Sequence, residues 1–299
     1  MRIVVMGNCQ SHGIAHSLAH LLPEARVEVA QLDGPSPTSP RYEAAAKTLD
    51  RPAILVTQVL DARYGKLSTA ELARSGRRVL RVPRVAFNGY QPDIAYLHHK
   101  GQQLHSPIGA YHSSIIAAAF SLGVAETDVA TLFNRMVFAR LGHLDAFGKA
   151  RTLMAQQLAP FGEAMVAAFD AWHAAGPFMH TSNHPRVHVL ADIARLTAIG
   201  GRLLPADAPR VTPVFDHLAS NVVWPVYPGL AERLGVPGSL VFKRAAPPEA
   251  TGHALHYGLP AFIRTSFARY RTVPAEAFRT GPIGETRAAL AEFLGYDGD

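Results

Sequence analysis

The sequence predicts an α/β fold: an N-terminal parallel sheet of about four strands flanked by helices, followed by a mostly α-helical C-terminal region. Three observations predict it. Over the first hundred residues, short β-branched runs alternate with helix-patterned segments. After about residue 105 the β-branched runs stop and Ala becomes abundant. The 299 residues, 48% hydrophobic and 17% charged, suffice for a sizeable core and match a globular composition.

"RIVVM" (2–6) reads as a buried strand. Gln10 to Leu22 carries Ile14, Leu18, Leu21 and Leu22 at helix spacing, and Pro23 marks its end. "RVEVAQL" (26–32) is a second strand, "DGPSPTSP" (33–40) a loop, and "RYEAAAKTL" (41–49) a helix. "AILVTQV" (53–59) is a third strand. "STAELARSG" (68–76) is a helix with Ser68 or Thr69 as cap and Gly76 as stop. "RRVLRVPRVAF" (77–87) is a fourth strand, interrupted by Pro83. Beyond it, residues 113–123, 126–142, 146–176, 184–201 and 226–236 are helical in pattern. The last 60 residues, including "RAAPPEATGHALHYGLP" (244–260), read as loop-rich. The expected organisation is an α/β nucleophile-bearing region over 1–104, a helical region over 105–240 that completes the site, and a C-terminal extension over 241–299 packed on the same domain.

The bulk numbers exclude several classes. One cysteine cannot form an internal disulfide, a Cys-rich metal site or a CxxC redox pair, so a reducing compartment, the cytoplasm, is expected. The apolar run after Arg2 is too short for a signal-peptide core, and no stretch reaches the roughly 18 apolar residues of a membrane span. Net charge +6 permits an anionic partner, but Lys and Arg are scattered rather than clustered. A small phosphorylated ligand is favoured over nucleic acid.

Cys9 stands where the first strand stops and a helix begins. Unpaired N–H groups and the helix dipole there favour a thiolate, so a lowered thiol pKa is expected. The same N–H groups suit an oxyanion. Gly7 permits a tight turn, and Asn8 and Gln10 offer side-chain amides. Thr57-Gln58 and "FNGY" (87–90) also fall at strand ends, where ligands of parallel sheets bind. A thiol nucleophile needs a base. "HTSNHPRVHVL" (180–190) sets His184 before a helix, among Thr181, Ser182 and Asn183, and "LHSPIGAYHSS" (104–114) does the same for His112, beside Tyr111. His12, His16 and His20 share one helix face, but no acid or Cys accompanies them and no metal is expected. "GNCQSHG" has neither the P-loop nor the GxGxxG spacing.

"VVMGNCQSHGIAHSL" resembles the opening of the WcbI-type capsular polysaccharide biosynthesis family, whose hallmark is a GNCQ-like motif after the first strand. The resemblance continues through residues 54–69, 92–97, 105–123, 181–190 and 224–235 and spans roughly residues 1–240. It implies coenzyme A (acetyl-CoA) as ligand and acyl, namely acetyl, transfer onto a capsule or exopolysaccharide sugar, with Cys9 as candidate nucleophile. The first block is also similar to that of the SGNH hydrolases, with Cys9 in place of their Ser, and a late histidine there favours His184 over His112. No DxxH pair is present; Asn183 directly precedes His184, and the nearest following acid is Asp192. Under this reading Cys9, Gln10, Asn8, Gln58 and Asn88 hold the oxyanion, with Tyr111 and Asn183 positioning substrate. Gly7, Ser11, Arg84, Lys100 and Arg186 are the candidates for meeting the cofactor. Two other readings use the same residues: a thiol-dependent esterase or thioesterase, and a non-catalytic coenzyme A or nucleotide-binding protein.

Overall fold

The structure is a computed structural model describing residues 1–211, 215–245 and 256–296. In chain order its first elements are β1 (Arg2–Gly7), α1 (Ser11–Leu21), β2 (Arg26–Gln31), α2 (Pro40–Thr48), β3 (Ile54–Gln58), α3 (Thr69–Arg74) and β4 (Val79–Val82). Four short strands follow: β5 (Ile94–Ala95), β6 (Leu97–His99), β7 (Gln102–Leu104) and β8 (His112–Ser113). Then come α4 (Ser114–Ser121), α5 (Arg135–Arg140), α6 (Ala146–Leu158), α7 (Glu163–Ala174), β9 (Met179–Thr181), β10 (His184–Pro185), α8 (Val187–Gly200) and α9 (Pro228–Leu234). The chain ends with β11 (Val241–Lys243), β12 (His256–Gly258), α10 (Leu259–Tyr270) and α11 (Gly281–Leu294). These elements form two units. One comprises Met1–Ala86, Leu153–Phe178 and His184–Ala219; the other comprises Phe87–Thr152, Met179–Asn183 and Ser220–Asp299.

The first unit holds a parallel sheet in the order β2-β1-β3-β4, as the sequence predicts. β1 is central, and Ile3 to Met6 are fully buried, which is why its sequence is apolar without alternation. Side chains still alternate between faces. Val4 and Met6 join Tyr42 and Ala45 of α2 and Leu72 of α3 in one apolar cluster. The opposite face is covered by α1 and α8, which cross closely. A Cβ on Gly13 would lie 2.4 Å from Leu190 Cδ1, so the crossing depends on that glycine. The expected fourth strand (77–87) stops at Val82, because Pro83 has no N–H for the ladder.

The second unit is mostly helical, with three small antiparallel pairings among the described residues, β5 with β8, β6 with β7 and β11 with β12, that short apolar segments did not announce. Its α4 is nearly all apolar and packs on α10 and α11. Buried Asp93 organises the start of α4: Oδ1 accepts from Ser114 Oγ at 2.8 Å and from the Ile115 N–H at 2.9 Å. Its Oδ2 accepts from Tyr227 Oη at 2.6 Å.

Three expectations need correction. Residues 126–142 form a 3₁₀ turn, Val129–Leu132, and the short α5, because Asn134 Oδ1 accepts from the Met136 and Val137 N–H groups and starts a new helix. The helix expected over 146–176 breaks into α6 and α7 at Pro160 and at Gly162, whose φ is +98°. The last 60 residues are not chiefly loop: they contain α10 and α11, while 246–255 of the expected loop lie outside the described residues. Among the described residues no helix is long and apolar enough to cross a membrane.

Candidate functional site

In the order β2-β1-β3-β4 the chain leaves β1 for one side of the sheet and later crosses to the other. The switch therefore lies at the carboxyl ends of β1 and β3, where parallel sheets open a crevice for ligands. Cys9 follows β1, Gln58 closes β3, and Val85 follows β4. A network of side-chain amides ties these three chain segments together. Asn8 N–H donates to Gln58 Oε1 (3.0 Å), and Gln58 Nε2 donates to Asn8 Oδ1 (3.1 Å) and Gln10 Oε1 (3.3 Å). Gln10 is fully buried; its Nε2 donates to the Val85 carbonyl at 2.7 Å and its Oε1 accepts from the Val85 N–H at 3.1 Å. Gly7, with φ +155°, sits under this network, and a Cβ there would lie 2.6 Å from Gln58 Oε1.

The network assigns the predicted residues unequal roles. The Gln10 side chain, expected as a donor to substrate, is spent on Val85 and Gln58. Gln58 likewise fixes the loop. Asn8 Oδ1 accepts from the Gln10 N–H at 3.0 Å as well as from Gln58, which leaves Asn8 Nδ2 as that side chain's donor to a ligand. Buried Ser11 donates its hydroxyl to the Asn8 carbonyl at 2.7 Å, closing the turn rather than meeting a cofactor. No side chain caps the start of α1.

Cys9 is half-buried. Its own N–H, that of Gln10 and the Arg84 charge lie near enough to the sulfur to favour thiolate, although the Gln10 N–H also donates to Asn8 Oδ1. Burial outweighs them and pushes the thiol pKa up. The expected lowering is thus corrected: a helix start favours thiolate, but loss of water around the sulfur costs more. Cys9 makes no hydrogen bond to a histidine among the described residues.

Both candidate bases are placed. His184 begins β10 in the first unit, half-buried, three residues before α8. His112 belongs to the second unit and is fully buried, with Nδ1 on Tyr270 Oη (2.9 Å) and Nε2 on the Leu104 carbonyl (3.0 Å). Burial holds its pKa down at about 4, and with both ring nitrogens bonded it acts as a core residue. Asp192 accepts from Trp172 Nε1 (3.0 Å) and faces Arg210 (3.2 Å), so it is committed away from an imidazole. Tyr111 and Asn183 do meet: Tyr111 Oη donates to Asn183 Oδ1 at 2.6 Å. Exposed Asn88 and Lys100 lie with them in the second unit, Lys100 in a hairpin turn with φ +49°. Arg186 precedes α8 and is exposed.

The helix face bearing His12 and His16 receives His217, with ring centroids 5.9 and 5.7 Å away, and His12 Nε2 lies 2.9 Å from Gln31 Oε1. His217 and Gln31 were not foreseen, since contact between residues 12 and 217 leaves no local signal. Among the described residues no three or more His, Cys, Asp or Glu side chains are arranged to hold a metal ion.

Comparison with known proteins adds the family. The model of the family described as "Polysaccharide biosynthesis enzyme WcbI" matches residues 2–199, which include the Cys9 loop, all four strands of the parallel sheet and α8 up to its last residue. The chain belongs to the WcbI family. The match confirms the kinship implied by the GNCQ segment. The chain also superposes on a solved structure described as WcbI, a novel polysaccharide biosynthesis enzyme, as native protein without a disulfide bond between coenzyme A and a cysteine. The TM-score is 0.61 at 16% identity, covering 98% of this chain and 94% of that one, a likeness of fold. No curated protein matches the chain.

Proposed function

We propose that the protein transfers an acyl group, acetyl in the simplest case, from coenzyme A to a sugar hydroxyl in polysaccharide biosynthesis, through Cys9. The observation that carries this reading is the placing of one thiol at the switch point of a parallel sheet, with two backbone N–H groups beside it and the Arg84 charge within reach. Membership of the WcbI family supports the pathway class, and the coenzyme A named for the solved relative supports the donor.

Because burial keeps Cys9 protonated, a base must take its proton as it attacks. His184 is assigned that task. The thiolate adds to the thioester carbonyl; the Cys9 N–H and Asn8 Nδ2 receive the oxyanion, while the Gln10 N–H holds Asn8 Oδ1 in place; the C–S bond to coenzyme A breaks, and its sulfur takes the proton. The sugar hydroxyl then attacks the Cys9 thioester and gives its proton to the same base, restoring the thiol. Arg84 favours the anionic sulfur in both halves. The expected location is cytoplasmic, where acyl-CoA is available.

The test is incubation with radiolabelled acetyl-CoA, acid quench, and the mass of intact protein, beside Cys9→Ala. An acetyl adduct on the wild type, absent from the variant and discharged by an acceptor sugar, is expected. Discharge equally fast without sugar would make the protein a thioesterase, and sugar acetylation by Cys9→Ala at the wild-type rate would remove the thiol from the chemistry.

A further inference from the structure

A groove of about 720 Å³ lies on the first unit beyond the ends of β3 and β4, lined by Val59, Arg81, Arg84, Gln157, Pro160 and Phe161. Its polar lining is cationic and amide, with no acid. Elsewhere in this unit Arg2, Arg41, Arg63 and Arg74 each pair with a carboxylate. Arg81 and Arg84 are exposed and have no hydrogen-bond or ion-pair partner among the described residues. Two unpaired guanidiniums on one wall match phosphate oxygens in charge and geometry. The rest of the wall, Val59, Pro160 and the Phe161 ring, is apolar, and Val59 is 59% exposed.

A second observation is independent of the arginines. A smaller cavity of about 220 Å³ shares Arg81, Pro160 and Phe161 with the groove and continues between β4 and α8, lined also by Leu80, Met165 and Thr197. Thr197 is nine-tenths buried, and its Oγ1 has no hydrogen-bond partner. A buried hydroxyl without a partner is destabilising unless a ligand or water answers it. A slot walled by apolar side chains, with one hydroxyl and backbone polar groups at its edge and a pair of cations beside it, suits a flat heterocycle attached to phosphates.

We infer that this groove binds the nucleotide portion of a ligand, with phosphate on Arg81 and Arg84 and the base or ribose reaching the Thr197 slot. Arg84 lies within electrostatic reach of the Cys9 sulfur, so one guanidinium belongs both to the groove and to the surroundings of the thiol. Joined to the acyl-transfer reading, on which it rests for the ligand's source, the occupant is either the phosphorylated adenosine of an acyl-CoA donor or the diphosphate nucleoside of an activated sugar acceptor.

The experiment is calorimetric titration of the full chain with adenosine 3′,5′-bisphosphate, UDP, inorganic pyrophosphate and adenosine. At least one nucleotide binds, and binds more tightly than pyrophosphate or adenosine. Arg81→Gln and Arg84→Gln each weaken it about tenfold. Thr197→Val weakens the nucleotide and leaves pyrophosphate unchanged. Tighter adenosine bisphosphate identifies the donor as the source; tighter UDP identifies the acceptor. Unaltered nucleotide affinity in both arginine variants, or no binding of either nucleotide, overturns the inference. Failure of the two readings is separable. Arginine-dependent binding without a Cys9 adduct removes the acyl-transfer step alone. A Cys9 adduct with arginine-independent binding removes the groove alone.

Discussion

Replacing Gln10 with Leu tests whether the amide network holds the site together. The side chain keeps nearly its volume, so packing changes little. Gln58 Nε2 loses its longer bond to Gln10 but keeps Asn8 Oδ1, and what is lost is chiefly the paired contact with Val85, whose carbonyl loses its donor at 2.7 Å and whose N–H loses its acceptor at 3.1 Å. Both groups are buried, and an unsatisfied buried polar group costs about 1–3 kcal/mol, giving about 2–6 kcal/mol for the two. Relief of the buried Gln10 amide offsets part of this, leaving about 3 kcal/mol. For a chain of this size each kcal/mol moves the melting midpoint by about 2–4 °C, so Tm falls by about 6–12 °C. Because Arg84 precedes Val85, binding of an anionic ligand weakens as well. Thermal unfolding followed by circular dichroism reads the first effect and calorimetry the second. A Tm within about 2 °C of wild type would refute the argument, since it would mean that water or a backbone shift satisfies Val85 at no cost.

Three further outcomes follow from the same geometry. Gly7→Ala brings a Cβ within 2.6 Å of Gln58 Oε1 at a positive φ, and a loss of about 1–3 kcal/mol is expected in chemical unfolding; an unchanged midpoint would show that Gln58 yields freely. The raised thiol pKa makes alkylation of Cys9 by iodoacetamide slow at neutral pH, with a rate still climbing through the ordinary thiol range, and Arg84→Gln slows it further by removing a charge that favours thiolate; a rate plateau below about pH 8 would contradict this. His112, held at about 4 in the fold against 6.5 unfolded, stays neutral while the unfolded chain protonates. Stability therefore falls as pH drops from about 6.5 to about 4, by about 3 kcal/mol in all, and the difference between wild type and His112→Asn should contain that slope; parallel pH profiles would show that His112 titrates normally.

The parallel sheet was legible because its inner strands β1 and β3 are buried runs of Ile, Val, Leu and Met, a pattern that survives without tertiary knowledge. The pairs β5–β8 and β6–β7 were not, since two- and three-residue strands carry no period. The last 60 residues were read as loop-rich, yet Pro260 and Pro282 there each stand in the first turn of a helix, where a missing N–H costs nothing. At the site, the turn carrying Cys9 was visible in "GNCQ", but the partner of Gln10 was not: Val85 contributes only backbone, 75 residues away, and backbone leaves no trace in side-chain sequence. The thiol's shift was misjudged for a related reason. The favourable N–H groups are local and can be read from the turn, whereas desolvation depends on what the whole fold packs around the sulfur.

The Gln10 amide also has a mechanical meaning. It offers Val85 one donor and one acceptor, the pair a neighbouring strand would offer, so a side chain continues the sheet where Pro83 has ended it. The thiol turn and the arginine segment are thereby riveted into one rigid body instead of two independent loops. An anion held by Arg84 then bears on the turn around Cys9 through the Gln10–Val85 contact. Substitutions on the two segments should accordingly fail to add in a double-mutant cycle, although their residues stand 75 positions apart in the chain.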